Sequence, residues 1–423
     1  MRLAFVTPRY GADLSSGPEH ACRLLAEQVC HRHDVDVLTT CARDPLTWRN
    51  EYAEGSDRVR GVLVRRFPVG QPHDREAFAQ FSTRVTASPR SRADELEWVR
   101  RLGPVSAGLL DHLKRQHRVY DALVFFSLEH APTVEGVRLA PERTILFPHL
   151  QLRASLRFAL WKEILESVRA IGFLSEFERR LTRQYVGAEV QTEEVVGIGI
   201  DPPPQLAYPR HQQDPADTLT TEDDSDAELS QTPEPTYLSS RGVTFRRRHR
   251  LYGSFALYGG RVESDNGCEE MLEYFDGLSV DQEQIPLVLM GVKMMKLPEQ
   301  TGVRLGGVLP DRERMAAYEA ADVTIAPDAD DLLAQAPLES LAVGTPVLAS
   351  ARNAAAVEHC RRSNGGLYYA NREEFVEAFQ LLAGSTRLRE ALGENGRNYV
   401  RQHFRWEHVL GRFERLVARV RSR

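Results

Sequence analysis

The sequence predicts an α/β protein built from two tandem, Rossmann-like, doubly wound domains. Three observations carry this reading. Short, continuous Val/Ile/Leu/Phe runs alternate with amphipathic stretches along most of the chain, as strands buried on both faces and joined by helices do. The alternation comes in two sets, separated by a segment of different composition. At 423 residues the chain is long enough for two or three cores.

The first set runs "LAFVTP" (3–8), "DVDVLTT" (34–40), "DALVFFS" (121–127), "TILFPH" (144–149) and "AIGFLS" (170–175). Amphipathic stretches such as 18–32 and 154–168 separate these strands, and the domain is placed at 1–190. The second set, "SFALYGG" (254–260), "IPLVLMG" (285–291), "GVRLGGV" (302–308), "DVTIAP" (322–327) and "TPVLAS" (345–350), gives a domain at 251–404. Between them, Gln212 to Ser240 contains no Lys or Arg and eight acids. Residues 203–250 are therefore expected to be a disordered insertion, too poor in apolar residues to fold. Its acidic stretch, followed by "RRRHR" (246–250), is either solvated chain or a site for a protein partner. The last segment, 405–423, is an Arg-rich amphipathic helix with Val409, Leu410, Phe413, Leu416, Val417 and Val420 on one face. Such a helix is expected either to dock on its own protein, returning to the N-terminal domain, or to lie on a membrane surface.

Composition narrows the function. A net charge of −6 gives no argument for nucleic acid as partner. The five cysteines are scattered and never paired as CxxC, which suits free thiols in a reducing compartment. The opening "MRLAFVTPRYG" reads as strand and turn, with an apolar run too short for a secretory signal. No run reaches the ~20 apolar residues of a membrane-spanning helix. A cytoplasmic protein is expected, with a peripheral contact at the inner face of a membrane left open, for instance through 88–101.

Chemistry-bearing residues gather where strands end. The loop after the first strand, "VTPRYGADLSSGPEH", opens a helix at Gly17 and Pro18, with Glu19 in its first turn. Backbone N–H groups in such a turn can meet an anion, although neither GxGxxG nor a Walker lysine is present. The second domain repeats the arrangement: Gly259-Gly260 ends a strand, Arg261 follows, and a helix begins near Gly267. A guanidinium at a strand's carboxyl end suits a diphosphate. In "IAPDADDLLAQAPLESLAVGTPVLAS" (325–350), Asp328, Asp330 and Asp331 crowd the loop after a strand, and Glu339 lies in the following helix. That carboxylate is either dipole complementation or an acceptor for ribose hydroxyls. No His joins the three aspartates, so no metal site is assigned.

In this order the motifs resemble a GT-B glycosyltransferase, specifically the retaining glycosyltransferase family 4. The resemblance covers nearly the whole chain outside 203–250, and the block from Tyr318 to Ser350 is its most specific part. It implies a donor loop at Ser16-Gly17-Pro18-Glu19 and Arg261 on the donor diphosphate. The lysine expected five residues after that arginine is Asn266, with Lys293, Lys296 and Arg312 as possible substitutes. It further implies Asp331 at the transferred sugar, in place of the usual glutamate. Glu339, with Ser340 beside it, falls at the nucleotide ribose. His149 is the histidine expected near the sugar, with Leu150 where a polar residue often follows, and His130 is the second choice. The implied activity is metal-independent, cofactor-free transfer of a hexose from a nucleotide-diphosphate sugar to an unidentified hydroxyl acceptor, with retention. The departures at Ser16, Asn266, Asp331 and Leu150 keep open a catalytically degenerate relative acting as a scaffold or partner subunit. A nicotinamide-dependent oxidoreductase is the third reading, which the missing GxGxxG opposes.

Overall fold

A computed structural model describes residues 1–14, 17–87, 89–150, 153–190, 192–201, 240–276, 278–280, 283–298 and 302–421. Two sheets organise it. The first has eight strands in the order 55–59, 62–67, 34–40, 2–6, 122–126, 144–147, 170–173 and 193–195. All pairs are parallel except the hairpin 55–59/62–67. The second has six strands in the order 303–307, 287–290, 256–259, 323–326, 347–350 and 366–369, all parallel. Both are the doubly wound sheets expected of the alternating pattern.

Leaving aside the edge hairpin, each order reverses direction once, between 2–6 and 122–126 in the first sheet and between 256–259 and 323–326 in the second. Open α/β sheets leave a crevice at the carboxyl ends of strands at such a reversal, because the two flanking connections diverge to opposite faces. The loops at those four strand ends carry most of the sequence's candidate residues.

The hairpin was not expected. Val59, Val62 and Val64 are buried, and the turn uses Arg60 (φ 47°) and Gly61 (φ 88°). Two positive φ values in succession form the hairpin turn whose twist matches the strands. The Arg-rich sequence around it masked the short alternation.

Part of the expected insertion is ordered. Residues 202–239 lie outside the described residues, but Ser240–His249 is a helix. Phe245 is buried beside Leu251 and Phe255. Arg246 donates to the Asp322 carboxylate at 3.0 Å and to the Ala320 carbonyl at 2.9 Å. The run of arginines concealed this anchor, because its buried Phe and its acid partner 76 residues away leave no local pattern in the sequence.

Of the segment 88–101, the described residues 89–101 also turn inward. Ser91 and Asp94 form a reciprocal cap for helix Arg92–Leu102, and Trp98 and Val99 are buried in the first domain. Its apolar side chains are spent on the core rather than offered to a membrane. Among the described residues, no helix is long and apolar enough to cross one.

The C-terminal helix, Trp406–Arg421, returns to the first domain. Its expected apolar face joins Leu3, Phe5 and Val124 in one core. Arg412 donates to the Val196 carbonyl at 3.0 Å, and Arg415 pairs with Glu194 at 2.8 Å.

Candidate active site at the two sheet reversals

On the first domain's side, Gly17 opens helix Gly17–Val29 with φ 77°, a conformation open to glycine without a Cβ penalty. Glu19 in its first turn is buried, and the Arg9 Nε donates to it at 3.1 Å. Burial pushes this carboxyl up, but Arg9, His130 and a backbone N–H outweigh it and hold the carboxyl below its ordinary value. Ser16 lies outside the described residues.

His130 and His149 follow the adjacent strands 122–126 and 144–147. The His130 Nδ1 lies 2.7 Å from the Ser127 hydroxyl, and Trp48 meets its ring edge-on. The His149 backbone N–H donates to Glu178 at 2.6 Å, whereas its ring Nδ1 is buried without a partner. Burial takes both imidazoles down to about 4, so both are neutral near pH 7. The charges of Glu19 and Arg153 act on both rings, which places these groups in one field. Ser127 (φ 72°) and His149 (φ 49°) hold left-handed backbone at neighbouring strand ends. Such strain in non-glycine residues persists where the surroundings enforce it, and it clusters at working sites. Leu150, in contrast, is fully buried in the hydrophobic core.

On the second domain's side, the Arg261 carbonyl accepts from the Tyr258 hydroxyl at 2.8 Å and from Asn266 Nδ2 at 3.2 Å. The Asn266 amide, where the resemblance expects a lysine, thus fastens the turn. The Arg261 guanidinium is 44 % exposed and pairs with Glu263 at 2.6 Å. Of the three basic substitutes considered, Lys293 is next to this turn, since its backbone bridges Val262 in parallel. Lys296 instead lines a pocket against helix Cys268–Phe275 with Glu269 and Leu272. Arg312 is exposed.

Gly267 holds φ 71°, and a Cβ there would lie 2.9 Å from the Pro327 carbonyl oxygen. The two reversal loops therefore pack together. Asp331 Oδ1 accepts from the N–H groups of Leu333 (3.1 Å) and Ala334 (2.9 Å), bracing the loop before helix Gln335–Val343. Burial raises its carboxyl. Burial, together with Asp331, takes neighbouring Asp328 up to about 7.

Glu339 is buried and clamped. Arg314 donates through Nε to Oε2 at 3.0 Å and through Nη2 to Oε1 at 2.9 Å, and Gln335 Nε2 adds 2.9 Å to Oε1. Burial raises the carboxyl while Arg314 opposes it. Ser340 requires a correction. Its side chain is fully buried, donating to the Thr345 carbonyl at 2.8 Å and accepting from the Thr324 hydroxyl at 2.8 Å, so it ties helix to sheet and does not face a ligand.

The structure thus brings Glu19, His130 and His149 together on one side and Arg261, Asp331 and Glu339 on the other. Leu333, from the second reversal loop, packs into the first domain's core, and the charge of Arg314 reaches His20 beside Glu19. Sequence reasoning missed Arg9, Arg153, Arg314 and Gln335. Among the described residues, no three His, Cys, Asp or Glu side chains are grouped to hold a metal ion.

Two doubly wound domains and a last helix returning to the first domain make up the GT-B fold. More particularly, residues 245–399 match the family of glycosyl transferases group 1. Solved structures share the fold across the whole chain. Sucrose-phosphate synthase from Thermosynechococcus elongatus superposes with a TM-score of 0.67 at 17% identity, covering 99% of this chain and 98% of that one. HepE of Anabaena, in complex with UDP and glucose, gives 0.67 at 12% identity and 99% coverage of each chain. WaaG, a glycosyltransferase involved in lipopolysaccharide biosynthesis, gives 0.61 at 16% identity and 100% coverage of each.

Proposed function

We propose that this protein is a retaining, metal-independent glycosyltransferase that moves a hexose from a nucleotide-diphosphate sugar to a hydroxyl acceptor. One observation carries the reading: the charged and imidazole groups gather at the reversal points of two sheets, where this architecture binds ligands. The complexes of HepE with UDP and with UDP-glucose support a nucleotide-sugar donor.

In this reading the donor lies on the second domain. Glu339 accepts from the ribose, and Arg261 leaves Glu263 to meet the diphosphate as negative charge develops on the leaving group. Gly17 and the helix N-terminus it opens add backbone N–H groups beside the phosphates. Glu19 and Asp331 accept from hydroxyls of acceptor and sugar. The unpartnered ring nitrogen of His149 gives a further hydrogen bond to the sugar, with His130 beside it. Both rings are neutral near pH 7, so they act through hydrogen bonds rather than charge. The acceptor proton passes to a leaving phosphate oxygen on the same face, which retains configuration without an enzymic nucleophile. No cofactor is required. A peripheral membrane contact and a protein partner on the acidic stretch before Ser240 remain proposals of the sequence alone.

The test is release of nucleoside diphosphate from its sugar conjugate by the native protein and by Arg261→Ala, with the product anomer read by NMR. Slow release by the native chain, lost in the variant and with the anomeric configuration kept, supports the proposal; an inverted product contradicts it. A second reading, a non-catalytic scaffold of the same fold, is favoured by one observation: Asn266 is committed to the Arg261 carbonyl and Arg261 to Glu263. Release that appears only after Asn266→Lys with Asp331→Glu would establish that reading.

A further inference from the structure

Glu178 is an acid with no exposure, and nothing in the proposed reaction uses it. It is the third residue of helix Glu176–Tyr185, whose cap Ser175 accepts from the Glu178 N–H at 3.2 Å. Its two carboxylate oxygens face different parts of the chain. Oε2 accepts from the Leu174 N–H at 2.8 Å, just ahead of its own helix. Oε1 accepts from the His149 N–H at 2.6 Å, 29 residues away beyond the neighbouring strand 144–147. Burial takes the carboxyl up to about 7, against the pull of the backbone N–H groups of Leu174, His149, Leu150 and Ser175.

Capping alone does not account for this placement. The same position in helix Arg92–Leu102 is filled by Asp94, which accepts from the Ser91 N–H at 2.9 Å without being buried. A shorter, wetter acid therefore caps a helix of this chain. Glu178 is buried instead, and its extra methylene carries one oxygen to His149. The grip there is completed from the other side, where the Pro148 carbonyl accepts from the Leu128 N–H at 2.8 Å. The peptide joining Pro148 to His149 is thus held at both its C=O and its N–H, which fixes its plane. From that plane His149 takes φ 49°, a left-handed conformation that a non-glycine residue keeps where its surroundings enforce it. The backbone there sets the direction of the Cα–Cβ bond, and hence where the half-buried imidazole points.

We propose that Glu178 is a positioning residue for recognition of the donor sugar, holding the Pro148–His149 peptide so that the His149 ring meets the transferred hexose. This rests on the nucleotide-sugar reading above and adds to it the group that aims the ring. Glu178 itself touches no ligand. Its effect is therefore confined to the sugar, because the nucleotide lies on the second domain.

The experiment is calorimetry with UDP, GDP and ADP and, for the tightest binder, its glucose, galactose, mannose and N-acetylglucosamine conjugates. The free nucleotide and its tightest conjugate are then measured on His149→Ala, Glu178→Asp and the double variant, each checked for folding by its melting curve. Glu178→Asp keeps the charge and the cap but falls short of His149 by one C–C bond, ~1.5 Å. It binds the conjugate about tenfold more weakly, as His149→Ala does, with the free nucleotide within about twofold of native. The double variant is no more than about twofold weaker than His149→Ala, because Glu178 acts through that ring. Equal weakening of nucleotide and conjugate by Glu178→Asp, native affinity for both, or losses that multiply in the double variant would each overturn the inference. If Glu178→Asp does not fold, Glu178→Gln takes its place under the same criteria, since its amide brings N–H donors to a place already supplied with them. If neither folds, the carboxylate serves the fold alone and the inference falls. Native conjugate affinity in His149→Ala, or no nucleotide binding to the native protein, overturns the donor-site reading together with this one.

Discussion

Glu339 and Arg314 show how much a single pair decides. Glu339 is nearly covered, so its charge is held by the bidentate guanidinium and the Gln335 amide. Truncating Arg314→Ala leaves that charge uncompensated and should destabilise the protein by about 2–4 kcal/mol in urea unfolding at pH 7. The sign with pH follows. Without Arg314 the buried carboxyl rises further above its unfolded value, so the variant's deficit is fully present at high pH. It shrinks as pH falls and Glu339 takes up a proton. A deficit independent of pH would show that the pair is not what holds the charge. His130 and His149 work in the opposite direction. With folded values near 4, both are neutral in the fold, and the stability this represents is lost as pH drops from about 6.5 towards 4. Nucleotide binding should therefore show no step from either ring between pH 6 and 8, and NMR titration of the ring protons checks this.

At the scale of the element, the reversal loops are what the sequence placed well. Arg261, Asp331 and Glu339 could be located because each follows a recognisable buried strand. Their partners could not: Arg314 and Glu339 are 25 residues apart with no periodic relation, and Arg9 meets Glu19 across a loop. Ser340 was misjudged because adjacency to Glu339 in a helix points it to a different face. Asn266 was read by position as a departure from an expected lysine, and spacing could not show that its amide completes a turn. Helix Ser240–His249 was hidden by a composition that looked wholly solvated. The loops also make a mechanical prediction. Gly267→Ala must accommodate both a positive φ and a Cβ 2.9 Å from the Pro327 carbonyl oxygen. It should cost about 1–3 kcal/mol and weaken nucleotide binding by spreading the two loops apart. Equal melting temperature and unchanged affinity would mean that the loops do not need this contact.

For the whole molecule, the chain's end completes its beginning. Phe413, Leu416 and Val417 of the C-terminal helix are fully buried within the first domain's core, so that core is assembled only after the second domain has been made. Ending the chain before Trp406 would expose a broad apolar face of the first sheet, which the hydrophobic effect drives towards aggregation. The truncated protein should be recovered mainly as insoluble material, or should bind a dye for exposed apolar surface if soluble. A soluble, cooperatively melting truncation would contradict the shared core. Two sheets, two reversals and one returning helix leave the nucleotide as the ligand on which the account depends. The decisive measurement is calorimetry of native protein and Glu339→Ala against UDP, GDP, ADP and dTDP, free and as their sugar conjugates. The account predicts micromolar binding of one nucleotide by the native chain and a loss of at least about tenfold in the variant. No binding across the panel, or binding indifferent to Glu339, would contradict it.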